Sequence, residues 1–145
     1  MNKNLPYQIY PEHDLFVSKA TRVITFDDLY DHVIELMSDF KFHQGMNGFY
    51  DFTQVPAVEG DLSKWHSLAN GMASNEVISI TANTAIVTAK TGTQVHQVMS
   101  EFLKLTANSN IDYQLFQLSQ WQQAKLHAGV PEALLVNNTF TIERV

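Results

Sequence analysis

Short apolar runs alternate with amphipathic helical segments along most of this chain, and that order constrains the fold more than any other feature. The runs that resemble strands lie at positions 7–10, 14–20, 48–53, 84–89 and 113–118. Helical patterns follow the last four, and strands joined through helices pair in parallel. The first two runs flank a turn and predict an antiparallel hairpin. The sequence therefore predicts an α/β fold, with a mixed, mostly parallel sheet of about five strands and about four helices, ordered ββαβαβαβα.

The first helical segment has the clearest periodicity in the chain. Thr25 precedes it, and Asp28, three residues later, completes a capping-box pattern with Asp in place of Glu. Apolar residues recur at spacings of three and four and predict one buried stripe: Phe26, Leu29, Tyr30, Val33, Ile34, Met37 and Phe40. Carboxylates at i, i+4 steps form an acidic ridge on another side: Asp27, Asp31, Glu35 and Asp39. That ridge is either a solvated surface or a place where a basic partner binds.

The three later helices carry weaker start and stop signals. Asp61 is the predicted N-cap of the second helix, whose predicted buried stripe is Leu62, Trp65, Leu68, Ala69, Met72 and Ala73. Thr91 or Thr93 precedes the third helix, and Ser119 with Gln122 predicts a capping box for the fourth, which Gly129 ends. The tail from 134 to 145 has no firm assignment, although 139–142 has the composition of an edge strand.

Composition and charge limit the classes of function. The 145 residues fit a single domain, 1–145, with a core over about 7–128. Fifteen acidic residues against nine basic ones give a charge of −6, which disfavours nucleic acid and anionic membranes as partners. There are no cysteines, no apolar run approaches the roughly 20 residues of a membrane span, and no secretory signal is evident. We expect a cytoplasmic protein that does not span a membrane.

No motif in the sequence carries recognisable chemistry. The six histidines lack the spacing of a zinc pair, and no serine lies in a Gly-x-Ser-x-Gly elbow. Thr91-Gly92-Thr93 matches no phosphate-binding loop and is interpreted as a helix cap and turn. The sequence therefore predicts no catalytic residue, no metal and no cofactor, and it favours a non-enzymatic protein over a hydrolase.

The best candidate site lies where the strand over 48–53 ends and the second helix begins. Open α/β sheets bind ligands at the carboxyl ends of their strands, and a helix N-terminus offers free amides to an anion. The candidate binding residues are Asp51, Thr53, Asp61, Ser63 and Trp65. The alternative is that Asp51 and Thr53 only hydrogen-bond the loop backbone and that Ser63 is an exposed residue of the first helical turn.

The element order, with the segments 7–19, Asp51-Phe52-Thr53, 84–89 and 116–124, resembles the STAS-like (SpoIIAA-like) domains related to anti-sigma-factor antagonists, and most closely their small bacterial stand-alone members. The resemblance implies a switch in which a Ser or Thr near the start of the second helix is phosphorylated and controls partner binding. The family's Asp-Ser-Ser/Thr-Gly run is absent here, and Ser63 is the only hydroxyl residue of Gly60-Asp61-Leu62-Ser63 at that place. Other relatives hold lipids or small hydrophobic molecules against the sheet.

Two functions follow from these observations. The first is a STAS-like regulatory or protein-interaction module with a protein partner and, at Ser63, a phosphorylation site. The alternative is a binder of a small apolar or lipid-like ligand in a pocket between the sheet and the second helix, where Met and aromatic side chains would suit an adaptable apolar site. Homodimer formation through the opening hairpin or the tail is a further prediction.

Overall fold

A computed structural model describes residues 3–43, 45–60, 63, 64, 67, 82–106, 111–132 and 134. Its strands are β1 (Tyr7–Tyr10), β2 (Leu15–Lys19), β3 (Ile24–Thr25), β4 (Asn47–Phe52), β5 (Val58–Glu59), β6 (Ala82–Thr88) and β7 (Ile111–Gln117). Its helices of known bounds are α1 (Phe26–Ser38), α2 (Gln94–Leu105) and α3 (Trp121–Ala128). Single 3₁₀ turns cover Pro11–His13 and Leu118–Gln120.

Five of the strands form one mixed sheet in the order β1-β2-β4-β6-β7. β1 pairs with β2 in antiparallel fashion, and the other neighbours are parallel, as the alternation of strands and helices predicts. The carboxyl ends of β2, β4, β6 and β7 therefore lie along one edge of the sheet, which we call the carboxyl edge. The sequence did not predict the second, two-stranded sheet, in which β3 pairs with β5 near this edge.

Each face of the sheet is covered by its own helices. Alternate residues of β2 and β4 point to opposite faces: Phe16 and Tyr50 belong to one apolar cluster, and Val17 and Phe49 to the other. Helices α1 and α2 pack on the first cluster and α3 on the second. The ring of Trp121 on α3 meets that of Phe49 edge-on, with 5.2 Å between centroids.

The local start and stop signals were partly correct. Thr25 accepts from the Asp28 backbone N–H while the Asp28 carboxylate accepts from that of Thr25, so the capping box of α1 is confirmed. Thr93, rather than Thr91, caps α2, which is the third predicted helix. Gly129 ends α3, which is the fourth predicted helix, with a φ of 70°. The capping box predicted for Ser119 and Gln122 is wrong, because the chain first makes a 3₁₀ turn in which the Gln120 side chain accepts from the Gln117 backbone N–H.

Two predicted segments are largely outside the described residues. In the second predicted helix, only Ser63, Lys64 and Ser67 are described, and they are helical and exposed. Asp61 and Trp65 are not among the described residues, and neither is the edge strand predicted at 139–142. The described part of the chain confirms a mixed five-stranded α/β fold, while the total helix count and the STAS-like order stay predictions.

The predicted buried stripe of α1 is only partly correct. Leu29 and Leu36 are buried, but Tyr30, Ile34, Met37 and Phe40 are 49%, 50%, 57% and 91% exposed. His32, which lies outside the predicted stripe, is fully buried. Successive residues of an α-helix are separated by about 100° around its axis. The buried side of α1, which carries Leu29, His32 and Leu36, is therefore rotated by roughly 100° about the helix axis from the side that the apolar pattern predicts.

Gly48 on β4 leaves room for the aromatic ring of Phe16, its partner on the neighbouring strand β2. An ideal Cβ at Gly48 would lie within 2.9 Å of three ring atoms of Phe16. Phe16 is held there by edge-on contacts with Tyr50 and Phe42, whose ring centroids are 5.6 and 6.1 Å away.

We expect Gly48→Ala to destabilise the fold by about 1–3 kcal/mol, because the added methyl group displaces a packed aromatic ring. Urea denaturation of the two proteins measures this change in the free energy of unfolding. The double variant Gly48→Ala/Phe16→Leu should recover part of the loss relative to the sum of the single changes. Equal stability of Gly48→Ala and the wild type would contradict the crowding at this position.

Candidate functional site

The carboxyl edge holds the predicted site residues Asp51 and Thr53. Asp51 is the penultimate residue of β4 and is almost fully buried. One of its carboxylate oxygens accepts hydrogen bonds from the Thr53 backbone N–H at 3.0 Å and the Thr53 hydroxyl at 2.7 Å. The Asp51 carbonyl also accepts from the Ala20 backbone N–H. The pair thus closes the turn after β4, which is the structural role that the sequence left as the alternative.

A second polar group at this edge was not predicted from the sequence. The Thr88 hydroxyl, at the end of β6, shares a hydrogen bond of 2.7 Å with Nδ1 of His96 in the first turn of α2. The Gln94 side chain accepts from the Val58 backbone N–H and donates to the Val58 carbonyl. The only sequence signal for this group was the position of these residues beside a strand end and a helix start.

These polar groups hold the edge together. Thr88 is completely buried, and Gln94 binds β5 as a neighbouring strand would, through one donor and one acceptor. Thr93 accepts from the His96 backbone N–H and donates to the Lys90 carbonyl. Hydrogen-bonding capacity used inside the protein is not available to a ligand without breaking those bonds. The described part of the carboxyl edge is therefore better suited to fixing loops than to binding an anion.

Three of the five candidate binding residues are described, and of these the structure places Asp51 and Thr53 within hydrogen-bonding distance of each other. Ser63 is exposed, and its carbonyl accepts a hydrogen bond from the Ser67 hydroxyl. The Lys64 ammonium lies 5.9 Å from the centre of the Phe26 ring, so the start of the second predicted helix is close to the start of α1. Phosphorylation of Ser63 stays a prediction, as does the apolar pocket, because most of its predicted helical wall lies outside the described residues.

The outer face of α1 is the second candidate, and only the structure shows it. We define this face as Tyr30, Ile34 and Met37, which recur at spacings of four and three, with Phe40 just after the helix. The Tyr30 ring is 6.1 Å from that of Phe26, which extends the apolar surface toward the helix start. Scattered exposed apolar residues are ordinary, whereas several large ones along one helix are typical of interaction sites.

Charge lies along one side of this face. Asp27 lies in the first turn of the helix and Asp31 lies one turn later, and both are exposed. The other two members of the predicted acidic ridge, Glu35 and Asp39, are partly buried, and Asp39 accepts hydrogen bonds from the Tyr7 hydroxyl and the Lys41 backbone N–H. The exposed part of the ridge is therefore shorter than the sequence predicts, and it lies beside the outer face.

His32 fixes which side of α1 faces the sheet. Its Nε2 shares a hydrogen bond of 2.8 Å with the hydroxyl of Tyr50 on β4. The rings of Tyr7 and Tyr50 meet the imidazole edge-on, with centroids 5.6 and 5.5 Å away. The Tyr7 hydroxyl donates to the Asp39 carboxylate at 3.0 Å, beyond the last turn of the helix. These contacts join α1 to β1 and β4 and leave Tyr30, Ile34 and Met37 outside.

The environment of His32 favours the neutral imidazole. Burial lowers its pKa to about 4, although the Glu35 carboxylate and the Leu5 backbone act in the opposite direction. Among the described residues, Nδ1 has no hydrogen-bond partner of good geometry. Burial, with the neighbouring Asp39 and Glu35 carboxylates, raises the pKa of Tyr7 to about 12, and burial also raises that of Tyr50. All three aromatic groups are thus neutral around pH 7.

The described residues contain no group of three His, Asp or Glu side chains arranged to hold a metal ion. Likewise, no helix in this part of the chain combines the length and apolar character needed to cross a membrane.

We expect the protein to lose stability as the pH falls from about 6.5 toward 4, because His32 takes up a proton more readily in the unfolded chain. Between about pH 7 and pH 5 this residue alone should lower the free energy of unfolding by about 2 kcal/mol. Urea denaturation of the wild type and of His32→Gln, whose amide can still hydrogen-bond Tyr50, isolates the effect. The wild type should lose more stability than the variant over this range, and parallel pH profiles would contradict the assignment.

Comparisons with known proteins do not identify a family for this chain. No family model matches it, and searches of curated proteins and of solved structures also find no match. The resemblance to STAS-like domains, with the roles that it implies, therefore stays a prediction.

Proposed function

We propose that this protein is a non-enzymatic regulatory or protein-interaction module of STAS-like type, and that the outer face of α1 is the surface that binds its partner. The observation that carries the proposal is the exposure of Tyr30, Ile34 and Met37, each about half accessible and spaced along one side of α1, with the exposed Phe40 just after the helix. Such a row buries apolar area when a partner covers it, and burial of apolar area is the main driving force of protein association.

The structural setting of the face supports this proposal. The face belongs to a helix of 13 residues that is capped at its start and joined to the sheet through Leu29, His32 and Leu36. A surface on a rigid helix loses little conformational entropy on binding. Partners that bind an exposed helix commonly recognise side chains at i, i+4 and i+7, which is the spacing of Tyr30, Ile34 and Met37.

The carboxyl edge supports the part of the proposal that describes the protein as non-enzymatic. Asp51, Thr88 and Gln94 hydrogen-bond other parts of the same chain, and this role requires no substrate. Protein interaction therefore explains the described residues with fewer assumptions than hydrolysis does. In a STAS-like module, phosphorylation of the exposed Ser63 would place negative charge close to the start of α1, because Lys64 contacts Phe26 there.

The test uses tagged protein to capture partners from an extract of the cells that produce it. A double variant, Ile34→Ser/Met37→Ser, removes apolar side chains from the outer face. The matched control, Leu118→Ser/Leu126→Ser, removes two other exposed leucines, which are 44% and 82% accessible. Because all four side chains are substantially exposed, each change should alter the free energy of unfolding by only about 0.5 kcal/mol or less.

We expect a partner that the wild type and the control retain and that Ile34→Ser/Met37→Ser loses. Quantitative mass spectrometry of the captured proteins measures this difference, and thermal unfolding checks that all three proteins are folded. If the same proteins are captured equally by the wild type and by both variants, the outer face is not the binding surface and the proposal fails.

A further inference from the structure

The outer face of α1 has a chemical asymmetry that indicates what kind of partner fits it. We infer that its partner is an amphipathic helix whose apolar stripe is bordered by lysine or arginine. This inference rests on the proposed function, and it adds the chemistry of the partner. Its evidence is the position of the exposed carboxylates relative to the apolar row.

The carboxylates lie on one side of the apolar row. Asp27 precedes Ile34 by seven residues, and Asp31 precedes it by three, so both lie within about 20–60° of Ile34 around the helix axis. A helix bound across Tyr30, Ile34 and Met37 would therefore pass close to both acids. Cationic side chains on the matching border of that helix would meet these carboxylates, whereas acidic ones would be repelled.

The lysines near this face occupy its two ends. The Lys64 ammonium lies over the Phe26 ring and the Lys41 ammonium over the Phe40 ring, each 5.9 Å from the ring centre. Neither of these contacts involves Asp27 or Asp31. Asp27 and Asp31 are four residues apart, so this negative border matches about two cationic residues one turn apart on the partner.

Other occupants fit this border less well. A second copy of the chain would add a second Asp27 and a second Asp31 to an interface formed through α1, and these like charges would repel each other. The chain as a whole carries a charge of −6, which adds to that repulsion. An anionic membrane surface would likewise be repelled by Asp27 and Asp31. Residues 65–81 of the same chain contain neither lysine nor arginine, and residues 135–145 contain only Arg144, so neither segment has the two cationic side chains that would match Asp27 and Asp31.

The experiment uses a pair of synthetic helical peptides of about 18 residues, or five turns. Both have leucines at i, i+3, i+4 and i+7, and they differ only in having lysine or glutamate on both borders of the apolar stripe. Isothermal titration calorimetry gives the affinity of each for the full chain, and backbone amide shifts in NMR spectra locate the binding site.

We expect the lysine peptide to bind at the outer face at least about 10-fold more tightly than the glutamate peptide, with a difference that shrinks as salt is added. Asp27→Asn/Asp31→Asn should weaken binding of the lysine peptide roughly 3- to 10-fold. The charge-matched control, Glu12→Gln/Asp112→Asn, removes two exposed carboxylates elsewhere and should leave the affinity nearly unchanged.

The outcomes separate this inference from the proposed function. Equal binding of both peptides, or equal loss in the Asp27/Asp31 variant and its control, would overturn the charged border while leaving the apolar face as a binding surface. Failure of the lysine peptide to bind at millimolar concentration would also overturn the inference, and the capture experiment would then decide the proposed function alone. If the peptide shifts the NMR signals of backbone amides away from α1 instead, this result would count against the outer face as the binding surface.

Discussion

His32 lies on the buried side of α1, and its contact with Tyr50 is the interaction on which the orientation of that helix depends. A rigid helix presents all its side chains at once, so the residue that faces the sheet decides which residues face outward. Here the hydrogen bond between His32 and Tyr50 holds the imidazole against β4, and Leu29 and Leu36 are buried beside it. The row from Tyr30 to Met37 is left outside as the geometric consequence.

The contacts of Tyr50 and Tyr7 favour this rotation over the one in which the whole apolar stripe is buried. The Tyr50 side chain lies in the core, and turning His32 outward would remove the partner of its hydroxyl. An unsatisfied buried polar group costs about 1–3 kcal/mol. Tyr7 adds to the preference, because its ring packs on the imidazole and its hydroxyl bonds Asp39 at the helix end. Partial exposure of Ile34 and Met37 is the consequence of satisfying these polar groups.

The carboxyl edge and α1 therefore differ in how their polar and apolar side chains are arranged. At the carboxyl edge, side chains such as Asp51, Thr88 and Gln94 complete hydrogen bonds that the loops need. On α1, the polar groups needed for packing face inward, and apolar surface with an acidic border faces outward. In many α/β proteins polar groups at the strand ends converge on a ligand, whereas the described ones here bond other parts of the same chain.

The sequence alone determined the mixed parallel sheet and the start of α1, because strand spacing and a capping box depend on residues that are close along the chain. It also identified Asp51 and Thr53 as a pair, since they lie two positions apart. It could not determine the rotation of α1, because its apolar pattern is wide enough for two orientations and His32 has a polar side chain. Only the tertiary structure places the Tyr50 hydroxyl opposite that imidazole. The exposure of the outer face therefore depends on a contact between residues 18 positions apart, which no local pattern specifies.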